Sequence, residues 1–226
     1  MSVFSGIWVP LVTPFTPQGG VDHAALARLA RRLIADGVSG LVALGTTGEP
    51  SSLDAAEQRA VLDTVLDAAG ATPVVVGLAG NNTAELLATV ERLENHPLAG
   101  LLVPAPYYVR PSQEGIRRHF HSLANASRHP VVIYDIPYRT GVEIATDTLL
   151  DLAGHANIVA VKDCGGSIDK TLTLLQDGRL RVLAGEDLQM FSTRCLGGRG
   201  AIAASAHVRT RDLVAMDRAI AEGRLG

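Results

Sequence analysis

The sequence predicts one α/β domain, a (β/α)8 or TIM barrel running over residues 1–226. Eight short apolar runs punctuate the chain, each too short for a stable helix and rich in Val, Ile or Leu. They are apolar throughout rather than alternating, which fits parallel strands buried on both faces. Helical patterns lie between them, and right-handed strand–helix–strand units in this number close most simply into a barrel. An open doubly wound sheet is the structural competitor. It usually carries a Gly-rich nucleotide turn after its first strand, whereas Thr13-Pro14-Phe15 stand there here.

The strands are expected at 7–12, 41–44, 74–78, 100–103, 131–136, 158–162, 181–184 and 200–204. Asp54 with Glu57, and Asn82 with Glu85, have capping-box spacing before apolar periodic stretches and mark two helix starts. Further helices are expected over 146–154, from Ser167 to near Gly178, and from Thr210 to near Gly223, the last completing the barrel. No linker, low-complexity run or sustained repeat divides the chain.

Composition narrows the function. The 226 residues are 47% hydrophobic and only 4% aromatic, enough to build one large aliphatic core. A net charge of −3, with arginines scattered as at Arg31, Arg32, Arg117 and Arg118, argues against a nucleic-acid partner. Cys164 and Cys195 have neither metal-ligand nor CxxC spacing, and 1–10 lacks a basic segment followed by an apolar one. No run approaches the length of a membrane span, so a soluble cytoplasmic protein is expected.

Barrel enzymes carry their chemistry at the carboxyl ends of the strands. There the chain places Gly45-Thr46-Thr47-Gly48-Glu49, Tyr107-Tyr108, Tyr134-Asp135 with Pro137-Tyr138-Arg139, Lys162-Asp163, Gly185-Glu186, and Ser205 with His207. Lys162 is one of two lysines in the chain and closes an apolar strand. An amine there is costly as a charge and useful as a nucleophile toward carbonyl carbon. Singly, each of these residues has a plainer reading: a rim charge for Lys162, a core phenol for Tyr134, a surface ion pair for Arg139, a tight turn for Gly45–Gly48. His119 and His121 are spaced so that a helix points them apart, and no metal site is expected. Ser205 lacks a GxSxG elbow. Gly197-Gly198-Arg199-Gly200 precedes a strand rather than a helix N-terminus, which disfavours phosphate binding.

Taken together, Gly45-Thr-Thr-Gly-Glu49, Pro106-Tyr-Tyr108, Tyr134-Asp-Ile-Pro137, Arg139-Thr-Gly141 and Val161-Lys162-Asp163 resemble the dihydrodipicolinate synthase / N-acetylneuraminate lyase family. The opening Ile7-Trp-Val-Pro-Leu-Val-Thr-Pro14 and Leu196-Gly-Gly-Arg-Gly200 are similar too, so the resemblance runs along essentially the whole chain. It implies a barrel enzyme, without cofactor or metal, whose lysine forms a Schiff base with pyruvate. Lys162 matches that lysine, Tyr134 the proton-shuttling tyrosine, and Thr46 the threonine linking it to a second tyrosine. That second tyrosine matches Tyr108 and comes, in the family, from a neighbouring subunit, which implies a homo-oligomer, dimer or tetramer. Thr47 matches a residue that helps bind the keto-acid carboxylate, and Gly185 and Ile202 match positions lining the pyruvate site. Arg139 and the Pro111-Ser-Gln-Glu-Gly115 stretch resemble the synthase branch, where the arginine grips the carboxylate of L-aspartate 4-semialdehyde.

The expected reaction is therefore condensation of pyruvate with L-aspartate 4-semialdehyde, in lysine and diaminopimelate biosynthesis. Two alternatives stand beside it: a pyruvate-dependent aldolase or dehydratase for a 2-keto-3-deoxy sugar acid or N-acetylneuraminate, and a catalytically silent keto-acid-binding barrel. Asp135 stands where the pattern has asparagine, Tyr138 replaces a small residue, and Cys164-Gly165-Gly166 replaces a small polar stretch. These departures are expected to bear on aldehyde choice, with Tyr138 crowding the second-substrate pocket. The family's C-terminal helical extension has no counterpart in the sequence. Lys170, in a helical pattern, is expected at the surface.

Overall fold

The computed structural model describes residues 4–225. Its strands are β1 (Gly6–Pro10), β2 (Gly40–Ala43), β3 (Val74–Gly77), β4 (Gly100–Pro104), β5 (Val131–Asp135), β6 (Ile158–Asp163), β7 (Arg181–Ala184) and β8 (Gly200–Ile202). They pair in parallel in sequence order and close into a barrel through β1 and β8. Around it run α1 (His23–Ala35), α2 (Ala55–Ala69), α3 (Thr83–Leu93), α4 (Gln113–Ala126), the single turn α5 (Pro137–Thr140), α6 (Thr146–Leu152), α7 (Ile168–Asp177), α8 (Met190–Cys195) and α9 (Thr210–Ala221). The TIM barrel expected from the runs is the fold, and the strand boundaries differ from expectation by two residues at most.

Strand alternation divides the core in two. Every strand sends side chains into the lumen, among them Trp8, Val42, Val75, Leu102, Val132, Ala160, Leu183 and Ile202. Their neighbours, among them Val9, Leu41, Leu101, Ile133, Val161 and Val182, face the helices and pack with Leu33, Val65, Phe120, Leu149 and Leu174. Each such fully buried side chain contributes about 1.5–3 kcal/mol relative to exposure. Trp8 is the largest of the lumen side chains and sets its neighbour: a Cβ at Gly40 would lie 2.3 Å from the indole. Phe4 stacks on Trp8 with ring centroids 5.6 Å apart and fills the amino end of the lumen.

The helix signals take the form their chemistry dictates. Asp54 accepts from Ala56 and Glu57 while Glu57 reaches back to the Asp54 amide, a complete capping box. Asn82 accepts only from Ala84, so it is a simple N-cap and the box with Glu85 does not form. α7 starts on Ser167 and stops at Gly178 in the left-handed region, φ +74. Arg209, not Thr210, stands at the N-cap of α9, and the Thr210 hydroxyl turns back to the Ala206 carbonyl. α1 and α4, which the sequence reading leaves unassigned, open on Asp22 and Ser112. Among the described residues no helix is long and apolar enough to cross a membrane.

Lys170 is not a surface residue. It lies in the first turn of α7, 4% exposed, four residues before the buried Leu174 and therefore on the same helix face. Three oxygens offset the burial of its ammonium: Asp135 Oδ2 at 3.1 Å, the Ile144 carbonyl at 2.8 Å and Glu143 Oε1 at 2.8 Å.

Candidate active site

Lys162 and Tyr134 are direct neighbours across β6 and β5, and both point into the lumen. Lys162 Nζ lies 4.2 Å from the centre of the Tyr134 ring. Lys162 is 6% exposed and shares the lumen with Ala160, Leu183 and Ile202. Burial pulls its pKa below the ordinary lysine range; Cys164, Glu186 and Asp187 pull it back up, and Arg139 pushes it further down. The ring face attracts an ammonium by about 0.5–2 kcal/mol. Loss of hydration is the larger effect, so the net direction is toward the free amine.

Burial raises the Tyr134 pKa, and a hydrogen bond from Thr46 and the Arg139 charge only partly oppose it, so the phenol keeps its proton at neutral pH. Thr46 and Thr47 belong to the single 3-10 turn Thr46–Gly48 after β2. That turn is anchored from β1's side by Thr13, whose hydroxyl donates to the Gly48 carbonyl at 2.6 Å. Gly77 lets it close down, because a Cβ there would meet the Leu44 carbonyl oxygen at 2.3 Å. Gly185 has a similar duty beside the lysine: a Cβ would lie 2.1 Å from Cys164 Sγ and 3.0 Å from Lys162 Cε.

Tyr107, Thr46, Tyr134, Arg139 and Thr140 border a cavity of about 880 Å³ that extends outward between α2 and α3. Tyr108 does not border it; the side chain is 87% exposed, on a backbone with φ +68. Leu44, Glu49 and Arg110 also have left-handed φ, so among the described residues every non-glycine of this kind lies in the turns after β2 and β4. Strained backbone concentrated there marks loops held for a purpose.

Three further residues near the mouth stand where the sequence alone does not place them. Tyr138 does not fill the cavity; it is 63% exposed, donates to Glu186 Oε1 at 2.6 Å and also hydrogen-bonds Arg139. Cys164 faces the lumen beside Lys162, hydrogen-bonds Glu186, and is pushed up to about 12 chiefly by burial. Asp135 points away from the mouth, into the helix layer and onto Lys170, because it has the strand parity of Ile133 rather than Tyr134. It therefore faces no aldehyde, contrary to the expectation from sequence. A signal for this was the parity itself, together with the Lys170–Leu174 spacing.

The two histidines on α4 part company as their spacing requires. His119 is buried, its Nδ1 2.9 Å from the Thr83 hydroxyl and its Nε2 without a partner, while His121 lies 3.4 Å from Asp151 on the outside. Among the described residues no group of three or more His, Cys, Asp or Glu could hold a metal ion.

Comparison with known proteins adds a family. The model of the dihydrodipicolinate synthetase family matches residues 3–226. The 4-hydroxy-tetrahydrodipicolinate synthase of Natronomonas pharaonis is 38% identical over 97% of this chain and 76% of its own length. Among solved structures, dihydrodipicolinate synthase from Aquifex aeolicus superposes with a TM-score of 0.93 at 34% identity, over 98% of this chain and 76% of that one. The chloride-inhibited enzyme from Acinetobacter baumannii complexed with pyruvate gives 0.93 at 31%, over 96% and 76%. The chain thus spans about three quarters of the length of these relatives.

Proposed function

The chain belongs to the dihydrodipicolinate synthetase family, and on that premise we propose that it condenses pyruvate with L-aspartate 4-semialdehyde, the activity of a 4-hydroxy-tetrahydrodipicolinate synthase. It is a lyase of that family. The observation that carries the reading is Lys162: a buried amine with a lowered pKa, beside the ring of a protonated tyrosine at the mouth of a barrel.

The residues divide the chemistry as follows. The free amine of Lys162 adds to the pyruvate ketone, and loss of water gives an imine. Protonated, the imine withdraws electrons, so the adjacent methyl group gives up a proton and becomes an enamine. The enamine carbon attacks the aldehyde of the second substrate and forms the carbon–carbon bond. The substrate's own amine then displaces Lys162 from the imine carbon, which closes a ring and restores the free lysine. Each step moves a proton, and the Tyr134 phenol, hydrogen-bonded to Thr46, is the group held to give and take it. Thr47 is the proposed partner of the pyruvate carboxylate, with Gly185 and Ile202 as the close walls. Arg139 is the proposed clamp on the carboxylate of the semialdehyde.

Tyr108 completes the relay from a second copy of the chain, which makes the working form a homo-oligomer. Its 87% exposure and strained backbone support a role outside its own barrel. A cytoplasmic setting fits two cysteines that are both free, one buried and one exposed.

Borohydride reduction in the presence of pyruvate tests the reading. A stable adduct on Lys162, located by peptide mass spectrometry, and turnover of aspartate semialdehyde that depends on Arg139 are the expected results. No adduct, or one on Lys170, would sink it.

A further inference from the structure

Directly behind the reacting pair, on the other face of the same two strands, lies a second buried set of charges. Asp135 and Asp163 are the residues after Tyr134 and Lys162, and they too are direct neighbours across β5 and β6. Both are buried against α7. Asp163 accepts from the Gly165 amide at 2.8 Å and from the Thr171 hydroxyl at 2.6 Å. Asp135 has one oxygen on Lys170, and its other oxygen, Oδ1, has no partner. The set converges on Gly165: a Cβ there would lie 3.2 Å from Asp135 Oδ2, 3.2 Å from Asp163 Oδ1 and 3.6 Å from Lys170 Nζ.

We propose that Lys170 is a positioning residue for the reaction, its ammonium neutralising the Asp135 carboxylate behind the Lys162–Tyr134 pair and tying the end of β5 to α7 and to the 143–144 segment, so that Lys162 meets Tyr134 as a free amine. This rests on the reading of Lys162 as the imine-forming residue.

Lys162 is faced by Tyr134 on β5, Cys164 just past the end of its own strand, Arg139 after β5, and Glu186 and Asp187 after β7. Lys170 is faced by Asp135 on β5 and Glu143 before α6, while Asp163 on β6 is held by the Gly165 amide and the Thr171 hydroxyl. Without the Lys170 ammonium, the buried Asp135 carboxylate, next after Tyr134 on β5, would have no counter-charge in the helix layer. Left ionised, it would favour the protonated, unreactive form of Lys162. The ammonium's three donors are all used, on Asp135, Ile144 and Glu143, which come from two separate segments of chain. The same contacts therefore fix β5, which carries Tyr134, against α7, which follows Lys162.

The experiment is a pH series of pyruvate adduct formation on Lys162, by borohydride trapping and mass spectrometry. It compares the parent chain, Lys170→Met, and the double variant Lys170→Met with Asp135→Asn, with folding followed by circular dichroism. The expected result is a midpoint raised by about one pH unit in Lys170→Met, hence about tenfold slower trapping on the acid side. In the double variant, where the unpaired carboxylate is also gone, the midpoint is expected to return to within a few tenths of a unit of the parent. A Lys170→Met profile superposable on the parent, or a double variant no better than the single one, would overturn the proposal. If Lys170→Met does not fold, the double variant decides: a parent-like midpoint supports the proposal, and a midpoint still raised by about a unit overturns it. Absence of any adduct in the parent would instead sink the proposed function and is read separately.

Discussion

The phenol of Tyr138 donates a 2.6 Å hydrogen bond to Glu186, joining the turn after β5 to the turn after β7 across the barrel mouth. Its ring stands 5.7 Å from the Arg139 guanidinium. The bulky residue thus holds the arginine and the acid in one cluster instead of occupying the cavity. Its phenol pKa is pushed up to about 12 by burial and by Glu186, so the bond stays a neutral donor on a carboxylate at working pH. Tyr138→Phe removes the phenol's bonds to Glu186 and Arg139, each worth about 1 kcal/mol, or some fivefold in an equilibrium. The expected outcome is a change of about that size in KM for the aldehyde with pyruvate trapping unchanged. Steady-state kinetics with each substrate varied in turn checks it, and an equal loss in pyruvate trapping would show that the cluster serves the lysine instead.

Lys162→Met tests what the buried amine costs. The lysine's folded pKa lies below its unfolded value, so the folded protein binds fewer protons. Its contribution to stability is full only above the unfolded lysine pKa and falls as pH drops toward the folded one. At neutral pH the buried amine is therefore a destabilising group. Methionine has similar length and carries no charge, so the variant is expected to melt above the parent while losing all pyruvate adduct. A lower Tm would mean that the amine is held as a paired charge.

Tyr134→Phe keeps the ring 4.2 Å from the lysine and removes only the hydroxyl that Thr46 contacts. A lost proton carrier reduces turnover by about a hundredfold or more. Because the hydroxyl lies in a mostly buried site, the change in stability is expected within about 1 kcal/mol. Pre-steady-state trapping separates the two effects: adduct formation should slow, while the melting curve stays close to that of the parent.

The barrel was legible because each strand spends its residues on two buried faces and leaves a run with no polar interruption. The lumen set of Trp8, Val42, Val75, Leu102, Val132, Ala160, Leu183 and Ile202 is that pattern realised. Lys162, Tyr134, Thr46 and Arg139 were legible as strand-end residues, and the structure gathers all four at one mouth. What stayed hidden are side chains whose meaning depends on a partner far away in sequence. Lys170 looks like any helical lysine until Asp135, 35 residues earlier, is found beneath it. Tyr138 likewise looks like an obstruction until Glu186, 48 residues later, is found opposite it. Helix and strand periodicity assigns a face to a residue; it does not say what waits on that face.

His119 gives the fold a pH dependence that has no part in the reaction. Its imidazole lies between the start of α3 and the body of α4, with Thr83 on one nitrogen, Phe120 edge-on at 5.5 Å, and nothing on the other nitrogen. Burial lowers its pKa from 6.5 to about 4. A base whose folded pKa is depressed contributes stability that is fully present above pH 6.5. That stability is lost progressively as pH falls from there to about 4, because in that window only the unfolded chain takes up the proton. Two and a half units at about 1.4 kcal/mol each set the effect at roughly 3 kcal/mol. Urea denaturation at pH 7 and pH 4.5 should therefore show a smaller drop in stability for His119→Gln than for the parent, by about 2–3 kcal/mol. Glutamine keeps a polar group toward Thr83 without the titration, so the variant pays at pH 7 and gains relatively in acid. Equal drops in the two proteins would mean that the imidazole is protonated without leaving its seat between the helices.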